Sequence, residues 1–473
     1  MHRARTRSLW ALTLAAGVLL SACGRPAVKP NVVLIYIDDL GWKDIGVMGS
    51  EYYETPHIDR LAAEGIVFSG AYANAPNCAP SRASLLTGQY TPRHGVYTVG
   101  SPERGAAHLR RLVPAPNRTA LDTSFVTMAE VLRAAGYATA HIGKWHLGGL
   151  GHLPTDQGFD VNVGGDRRGH VATHFYPYRR DWDQLPHLAD TGREGEYLTD
   201  RLTDEALGFI EDHRDGPFFL YLSHYAVHTP LQAKDELAEK YRDRPGAGGR
   251  YDPVYAAMVE SVDESAGRIV ARLEELNISE STVVFFYSDN GGYGPATSMA
   301  PLRGSKGMLY EGGIRVPLIV RWAGSIAPGR EEATPVIGTD LMPTILDIAG
   351  AEPPAQPLDG VSLLKLLQGE DELEPRVLYW HFPAYLEAYR GMAGPWRTTP
   401  AGAIRSGDYK LIEFFETGEL ELYNLSDDIG EQVNIATELP GIVQELHQLM
   451  VEWRRGVGAP VPTELNPAYE PGN

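Results

Sequence analysis

The chain has 473 residues, 43% of them hydrophobic and 22% charged, with a formal net charge of −19. That length and balance exclude a disordered tail or a single small domain and suit a large α/β enzyme with an added subdomain. The acidic excess, with no basic stripe, argues against nucleic acid as a partner. Two cysteines in all exclude a disulfide scaffold or a cysteine-rich metal site.

The N-terminus reads as an export signal. Arg3, Arg5 and Arg7 precede an apolar run over residues 9–20, too short for a comfortable membrane span. The run ends in Leu20-Ser21-Ala22-Cys23, which resembles a bacterial lipobox. That resemblance implies removal of residues 1–22 and a lipid anchor on Cys23. The exported lipoprotein would then be periplasmic or at the cell surface, and Gly24 after the cysteine favours the outer membrane. Residues 23–30 read as a tether.

Asn31–Ile37 is an apolar, β-branched run, as expected of a buried parallel strand, and it stops abruptly at Asp38-Asp39. Helical patterns follow over 56–64 and over 78–88, where Pro80 suits the first turn and Gly88 the stop. A third runs over 124–135, with Ser124 as its expected cap and Gly136 as its end. Residues 138–142 and 217–223 read as strands, 255–276 as a long amphipathic helix, and 282–288 as a strand running into Asp289-Asn290-Gly291-Gly292. A further strand is expected over 316–322. This alternation predicts an α/β domain over 31–370, a large, mostly parallel mixed sheet flanked by helices. Short strands at 376–382, 402–406, 409–415 and 419–424, then a helix at 438–453, predict a smaller antiparallel α+β subdomain over 371–460. Residues 461–473 form a proline-rich tail.

The chemistry gathers at strand ends. Asp38 and Asp39 close one strand, Asp289 and Asn290 another, and ligands of open α/β sheets bind at that edge. Three carboxylates and an amide describe an all-oxygen site for a hard divalent cation, with Ca2+ favoured over Mg2+ because a multi-carboxylate cage suits the larger ion. Cys78 opens a helix, at the positive end of its dipole, where an anion is held well. Lys144 and His146 are two apart, so in an extended segment both face the same way.

Residues 78–82, Cys-Ala-Pro-Ser-Arg, followed by an apolar stretch ending in Thr87-Gly88, resemble the signature of the type I, arylsulfatase-like sulfatases of the alkaline-phosphatase superfamily. Further segments occur in the family's order: Asp38-Asp39, Gly-Lys-Trp-His-Leu-Gly at 143–148, His-Tyr-Ala-Val-His-Thr-Pro at 224–230, Asp289 to Gly292, and Pro-Leu-Arg-Gly-Ser-Lys-Gly at 301–307. The resemblance implies that a maturation enzyme oxidises Cys78 to Cα-formylglycine, whose hydrate attacks a sulfate ester. Asp38, Asp39, Asp289, Asn290 and the modified residue 78 would then be metal ligands. Arg82 would pair with the nucleophile, Lys144 would contact the sulfate, and His146 would assist the formylglycine chemistry. His228 and Lys306 would clamp the sulfate, and one of them would protonate the leaving alcohol. Val227 stands where the family usually has proline, with His228 still aligned. His224, Arg303 and Arg315 read as structural.

The expected substrate is a sulfated carbohydrate, as polymer or oligosaccharide. Segment 170–182 interleaves aromatics with Arg179 and Arg180, and Tyr379-Trp380-His381 and Trp396-Arg397 could complete an aromatic wall for sugar rings. Two other readings stay open at this point. One is a phosphonate or phosphate monoester hydrolase of the same superfamily. The other is a lipoprotein that binds glycans without cleaving them, if Cys78 is never oxidised.

Overall fold

Asn31–Ile37 is buried along its whole length, as its unbroken apolar run requires, because it lies inside a large sheet with a parallel neighbour on each side. The computed structural model describes residues 29–179, 185–188, 191–246, 251–370 and 372–470. The expected signal segment, Cys23 and most of the tether lie outside the described residues, as do Arg180, Trp182 and the end of the tail. Among the described residues the main sheet has eight strands. Their spatial order is Val161–Val163, Ala138–Gly143, Phe218–Ser223, Asn31–Ile37, Thr282–Ser288, Leu318–Arg321, Ile66–Phe68 and Arg330–Glu332. The first five run parallel, whereas Leu318–Arg321 is antiparallel to both of its neighbours.

Alternate residues of the central strand feed two cores. Val33, Ile35 and Ile37 pack with the helices Leu198–Asp212 and Pro253–Glu275. Val32, Leu34 and Tyr36 pack with Cys78–Thr87, Met128–Ala134 and Leu341–Ala349 on the other face. A second, antiparallel sheet joins Val377–Phe382, Ala401–Ser406, Tyr409–Phe414 and Glu419–Asn424 in that order. Helix Pro440–Val457 covers it through Leu446 and Met450.

Two local expectations change. The helix expected from residue 124 is Met128–Ala134, capped by Thr127 in a reciprocal box with Glu130. Ser124 instead belongs to a turn closed by Asp122, whose carboxylate accepts the Ser124 amide at 3.0 Å. The strand expected at 316–322 is Leu318–Arg321, beginning after Pro317, which has no N–H to give a ladder. Among the described residues no helix is long and apolar enough to cross a membrane.

Candidate active site

The register of the sheet brings the functional strand ends level. Ile37 lies opposite Ser288, Tyr36 opposite Ser223, and Ser223 opposite Gly143. The residues that follow, Asp38-Asp39, Asp289-Asn290, Lys144 and His224 to His228, therefore leave the sheet at one edge. Gly143 makes the approach possible: its φ is +109°, and an added Cβ would lie 1.9 Å from Ser223 O. The 224–230 loop is tied back to the same edge, since Val227 N donates to Asp38 O at 2.7 Å. A proline at 227 could not form that bond.

Helix Cys78–Thr87 delivers Cys78 as its first residue, above the two aspartates. The Cys78 thiol donates to Asp38 Oδ1 at 3.3 Å, and Lys306 Nζ lies 3.3 Å from Sγ. Lys144 Nζ donates to Asp38 Oδ2 at 2.5 Å. Lys306 Nζ sits 2.6 Å from Asp39 Oδ1 and 2.8 Å from Oδ2. Arg82, fully buried, donates through Nε and Nη2 to Asp289 Oδ2 at 3.1 and 2.8 Å and through Nη1 to Lys144 O and Ser223 Oγ. Asp289 Oδ1 accepts the Asp39 amide at 3.2 Å. His228 Nε2 is 3.7 Å from Asp39 Oδ2.

The donors fit a hard cation. Ligand atoms of Asp38, Asp39, Cys78 and His228 all lie within 4.8 Å of one another. Asp289 and Asn290 border that group, and the Asn290 Oδ1 atom is buried with no partner, a free acceptor beside three carboxylates. Carboxylate and amide oxygens dominate, which is the ligand chemistry of Ca2+ or Mg2+ rather than of zinc.

Burial and neighbouring charge set the protonation states. Burial alone would raise Asp39, but Lys306, His228 and Lys144 outweigh it and hold the carboxyl well below the usual range. Burial, then Asp38, pushes the Cys78 thiol up to about 12. Burial and Asp38 also lift Asp289 to about 6, against Arg82 and Lys144. His228 falls to about 3 through burial and Lys306, and His146 drops well below its ordinary value through burial, Lys144 and Arg82. Both imidazoles are thus neutral near pH 7. In His228 the Nδ1 atom lies 2.8 Å from Thr229 O. A carbonyl only accepts, so Nδ1 carries the hydrogen and Nε2 faces the site as a bare base. His146 Nδ1 is buried and unpartnered. Its ring rests on Gly169, where an added Cβ would come within 2.2 Å of Cε1.

Above this floor opens a cavity of about 340 Å³. Its base is Asp39, Cys78, His146, His228 and Lys306, and its wall includes Arg104, His170, Tyr293, Tyr389 and Arg397. The expected aromatic wall is therefore only partly right. His170 and Arg397 reach the cavity. Trp380 is buried, donating to Ala73 O, Tyr379 stacks on Trp453, and His381 is bonded to Pro460 O. They belong to a strand whose side chains fill the second sheet's packing. His174 and Tyr178 are buried as well, His174 against His228 O at 3.2 Å. His224 bonds Ser265 Oγ at 2.9 Å, and Arg303 and Arg315 hold backbone carbonyls at Glu431 and Ser69, all three structural. Arg104, Tyr293 and Tyr389 sit in loops where no motif marks them.

A mostly parallel α/β sheet with a helix-initial cysteine and clustered carboxylates at its carboxyl edge defines an ester hydrolase of the alkaline-phosphatase type. The chain belongs to the sulfatase family and is a sulfuric ester hydrolase. The family model described as Sulfatase matches residues 30–351, and the one described as N-sulphoglucosamine sulphohydrolase, C-terminal, matches residues 305–456. A sulfatase of Formosa agariphila is 36% identical over 480 residues, covering 87% of this chain and 85% of that protein. The N-acetylgalactosamine-6-sulfatase of Mus musculus is 35% identical, covering 89% of this chain and 78% of that protein. The crystal structure of Ps i-CgsB in complex with k-i-k-neocarrahexaose superposes with a TM-score of 0.75 at 31% identity, covering 90% of this chain and 92% of that one.

Proposed function

We propose that the chain hydrolyses sulfate monoesters of carbohydrates, with formylglycine made from Cys78 as nucleophile beside a bound divalent cation. The observation that carries this reading is the meeting of Cys78 Sγ with Asp38 and Lys306 at 3.3 Å each, inside one buried cluster. The Sγ atom marks the place of the modified residue's oxygens. A formylglycine hydrate supplies one hydroxyl to attack sulfur and a second whose proton loss releases the product. The unmodified thiol suits the task poorly, because burial and then Asp38 keep it protonated up to about pH 12.

Asp38, Asp39, Asp289 and Asn290 would hold the cation, with Ca2+ favoured, and it would supply Lewis-acid charge at the sulfate. Lys144 and Lys306 offset the charge of the nonbridging oxygens. Asp289 accepts the proton released at residue 78. Lys306 Nζ gives a proton to the departing alcohol oxygen; the Asp39 carboxylate beside it keeps it protonated against the effect of burial. His228, with Nε2 bare, serves as an acceptor rather than the acid. His146 Nδ1, neutral and unpartnered, takes the second proton.

The carbohydrate class is supported by the N-acetylgalactosamine-6-sulfatase relative and by the oligosaccharide in Ps i-CgsB. We base export on Arg3, Arg5, Arg7 and the apolar run over 9–20, anchoring on the Leu20 to Cys23 box, and the outer-membrane address on Gly24. Mass spectrometry of the residue-78 peptide, with ion chromatography of free sulfate, tests the reading. The expected result is a mass matching the aldehyde in active enzyme. A plain thiol in fully active enzyme would end the formylglycine assignment, and no sulfate from any sulfated sugar would end the substrate class. Chelation by EGTA followed by Ca2+ or Mg2+ readdition decides between the two ions.

A further inference from the structure

Two arginines at the cavity wall have no task in cleaving a single sulfate. Arg397 lies with its guanidinium carbon 4.0 Å over the Tyr389 ring, and its Nε is buried without a partner. Its place beside the catalytic floor is built in. Gly307, directly after Lys306, has φ +93°, and an added Cβ there would lie 2.6 Å from Arg397 Nε. Tyr389 in turn donates its hydroxyl to Lys306 O at 3.2 Å and meets Tyr293 edge-on at 5.4 Å. Arg104, half-buried on the same wall, gives one hydrogen bond, from Nη2 to Val99 O at 2.8 Å.

Three other half-buried arginines of this acidic chain, Arg93, Arg201 and Arg376, find carboxylates in Asp359, Glu205 and Asp340. Among the described residues, Arg104 and Arg397 form no ion pair. Partly desolvating a guanidinium without a counter-charge is unfavourable. Two such groups facing one cavity, one of them held flat by an aromatic ring, make a planar fork site for an anion.

We propose that Arg104 and Arg397 form a second anion subsite, so that the substrate carries a carboxylate or a second sulfate near the ester that is cleaved. The proposal rests on the sulfatase reading and narrows its substrate class from a sulfated sugar to a multiply acidic one. Lys306 and the cluster beneath it hold the reacting sulfate. The arginine pair holds the neighbouring acid and so sets which sugar is oriented for attack.

The test uses matured enzyme and matched disaccharides: one with a single sulfate and a uronate, its carboxyl-reduced form, and a neutral-backbone form with two sulfates. Wild type is expected to favour a diacidic sugar over the carboxyl-reduced monosulfate by about tenfold or more in kcat/KM, chiefly through KM. Rising salt should shrink that preference. Which arm is favoured, uronate or second sulfate, identifies the acid. In the Arg104→Gln/Arg397→Gln pair the preference should fall towards unity. Arg397→Lys should restore part of it, which a merely structural role would not predict. Equal kcat/KM for diacidic and monoacidic sugars in wild type overturns the subsite. So does a loss by the same factor on both classes in a variant with unchanged melting temperature. Free sulfate from none of the sugars fails the hydrolase reading itself, and the subsite falls with it.

Discussion

The molecule buries two dense clusters of charge, and they are built differently. At the joint between the two sheets, Lys410 lies 2.9 Å from both Glu311 Oε1 and Glu431 Oε1. Glu311 Oε2 takes the Tyr72 hydroxyl and Arg315, and Glu431 Oε2 takes the Glu311 amide. That cluster is sealed: its carboxylates meet cations, the Tyr72 hydroxyl and backbone within the protein, with Glu431 Oε1 held by its ion pair with Lys410 alone. At the sheet edge, Asp38, Asp39 and Asp289 likewise meet Lys144, Lys306 and Arg82, but the cluster opens on a cavity and leaves Asn290 Oδ1 and His146 Nδ1 without partners. Buried charge on its own does not mark a catalytic site. Unspent acceptors beside solvent-reachable space do.

The sharpest way to break this comparison is to change one group in each cluster. Cys78→Ala should lower sulfate release by at least about a thousandfold, because a nucleophile's loss is not offset by its neighbours. Its melting temperature should stay near wild type, since only a small side chain is removed. Sulfate release and calorimetry on the same preparation check both halves. Lys410→Met should do the reverse. It strands Glu311 and Glu431 without their shared cation and should cost about 3–5 kcal/mol of stability, read by urea unfolding. Turnover per folded molecule should persist. Equal damage to activity and stability in both variants would erase the distinction drawn between the clusters.

Much of the edge cluster was legible in the sequence because its residues sit in short, contiguous motifs at strand ends. A strand such as Asn31–Ile37 announces itself by an unbroken apolar run, and Asp38-Asp39 by its abrupt end. The cavity wall was not legible. Arg104, Tyr293 and Tyr389 come from loops with no periodicity, and their convergence depends on how the second sheet docks. Tyr379-Trp380-His381 shows the converse error: an aromatic run reads the same whether its rings face sugar or a neighbouring helix. The helices Leu198–Asp212 and Leu341–Ala349 also escaped, and neither has a side-chain N-cap bond to mark its start. Short strands such as Arg330–Glu332 carry charged edge residues rather than a strand pattern.

A smaller perturbation probes how finely the open cluster is positioned. Gly169→Ala places a methyl where the His146 ring now lies, 2.2 Å from Cε1. The ring must shift, and misplacing a proton acceptor by about 1 Å can cost about a hundredfold. The expected loss is in kcat with KM little changed, because His146 acts after the substrate is bound. Unchanged kcat would remove His146 from the reaction while leaving the rest of the cluster in place.

The smallest expected effect concerns the sealed cluster and pH. Burial lifts Glu431 to about 7 against the opposing pull of Lys410, from an ordinary value of 4.5. A carboxyl raised on folding stabilises fully below its unfolded value, and that contribution is lost as pH climbs through its folded one. Glu311 runs the other way: Lys410, Arg315 and Arg405 overcome burial and hold it near 2, so its contribution persists throughout this window. The Glu431 contribution should therefore decline between pH 4.5 and about 7. In Glu431→Gln the amide stays neutral across that range, so its melting temperature should depend less on pH than that of wild type. Parallel melting profiles for the two proteins would mean that Lys410 holds Glu431 ionised throughout. The joint would then be a true ion triad, closer in charge to the catalytic edge than its burial implies.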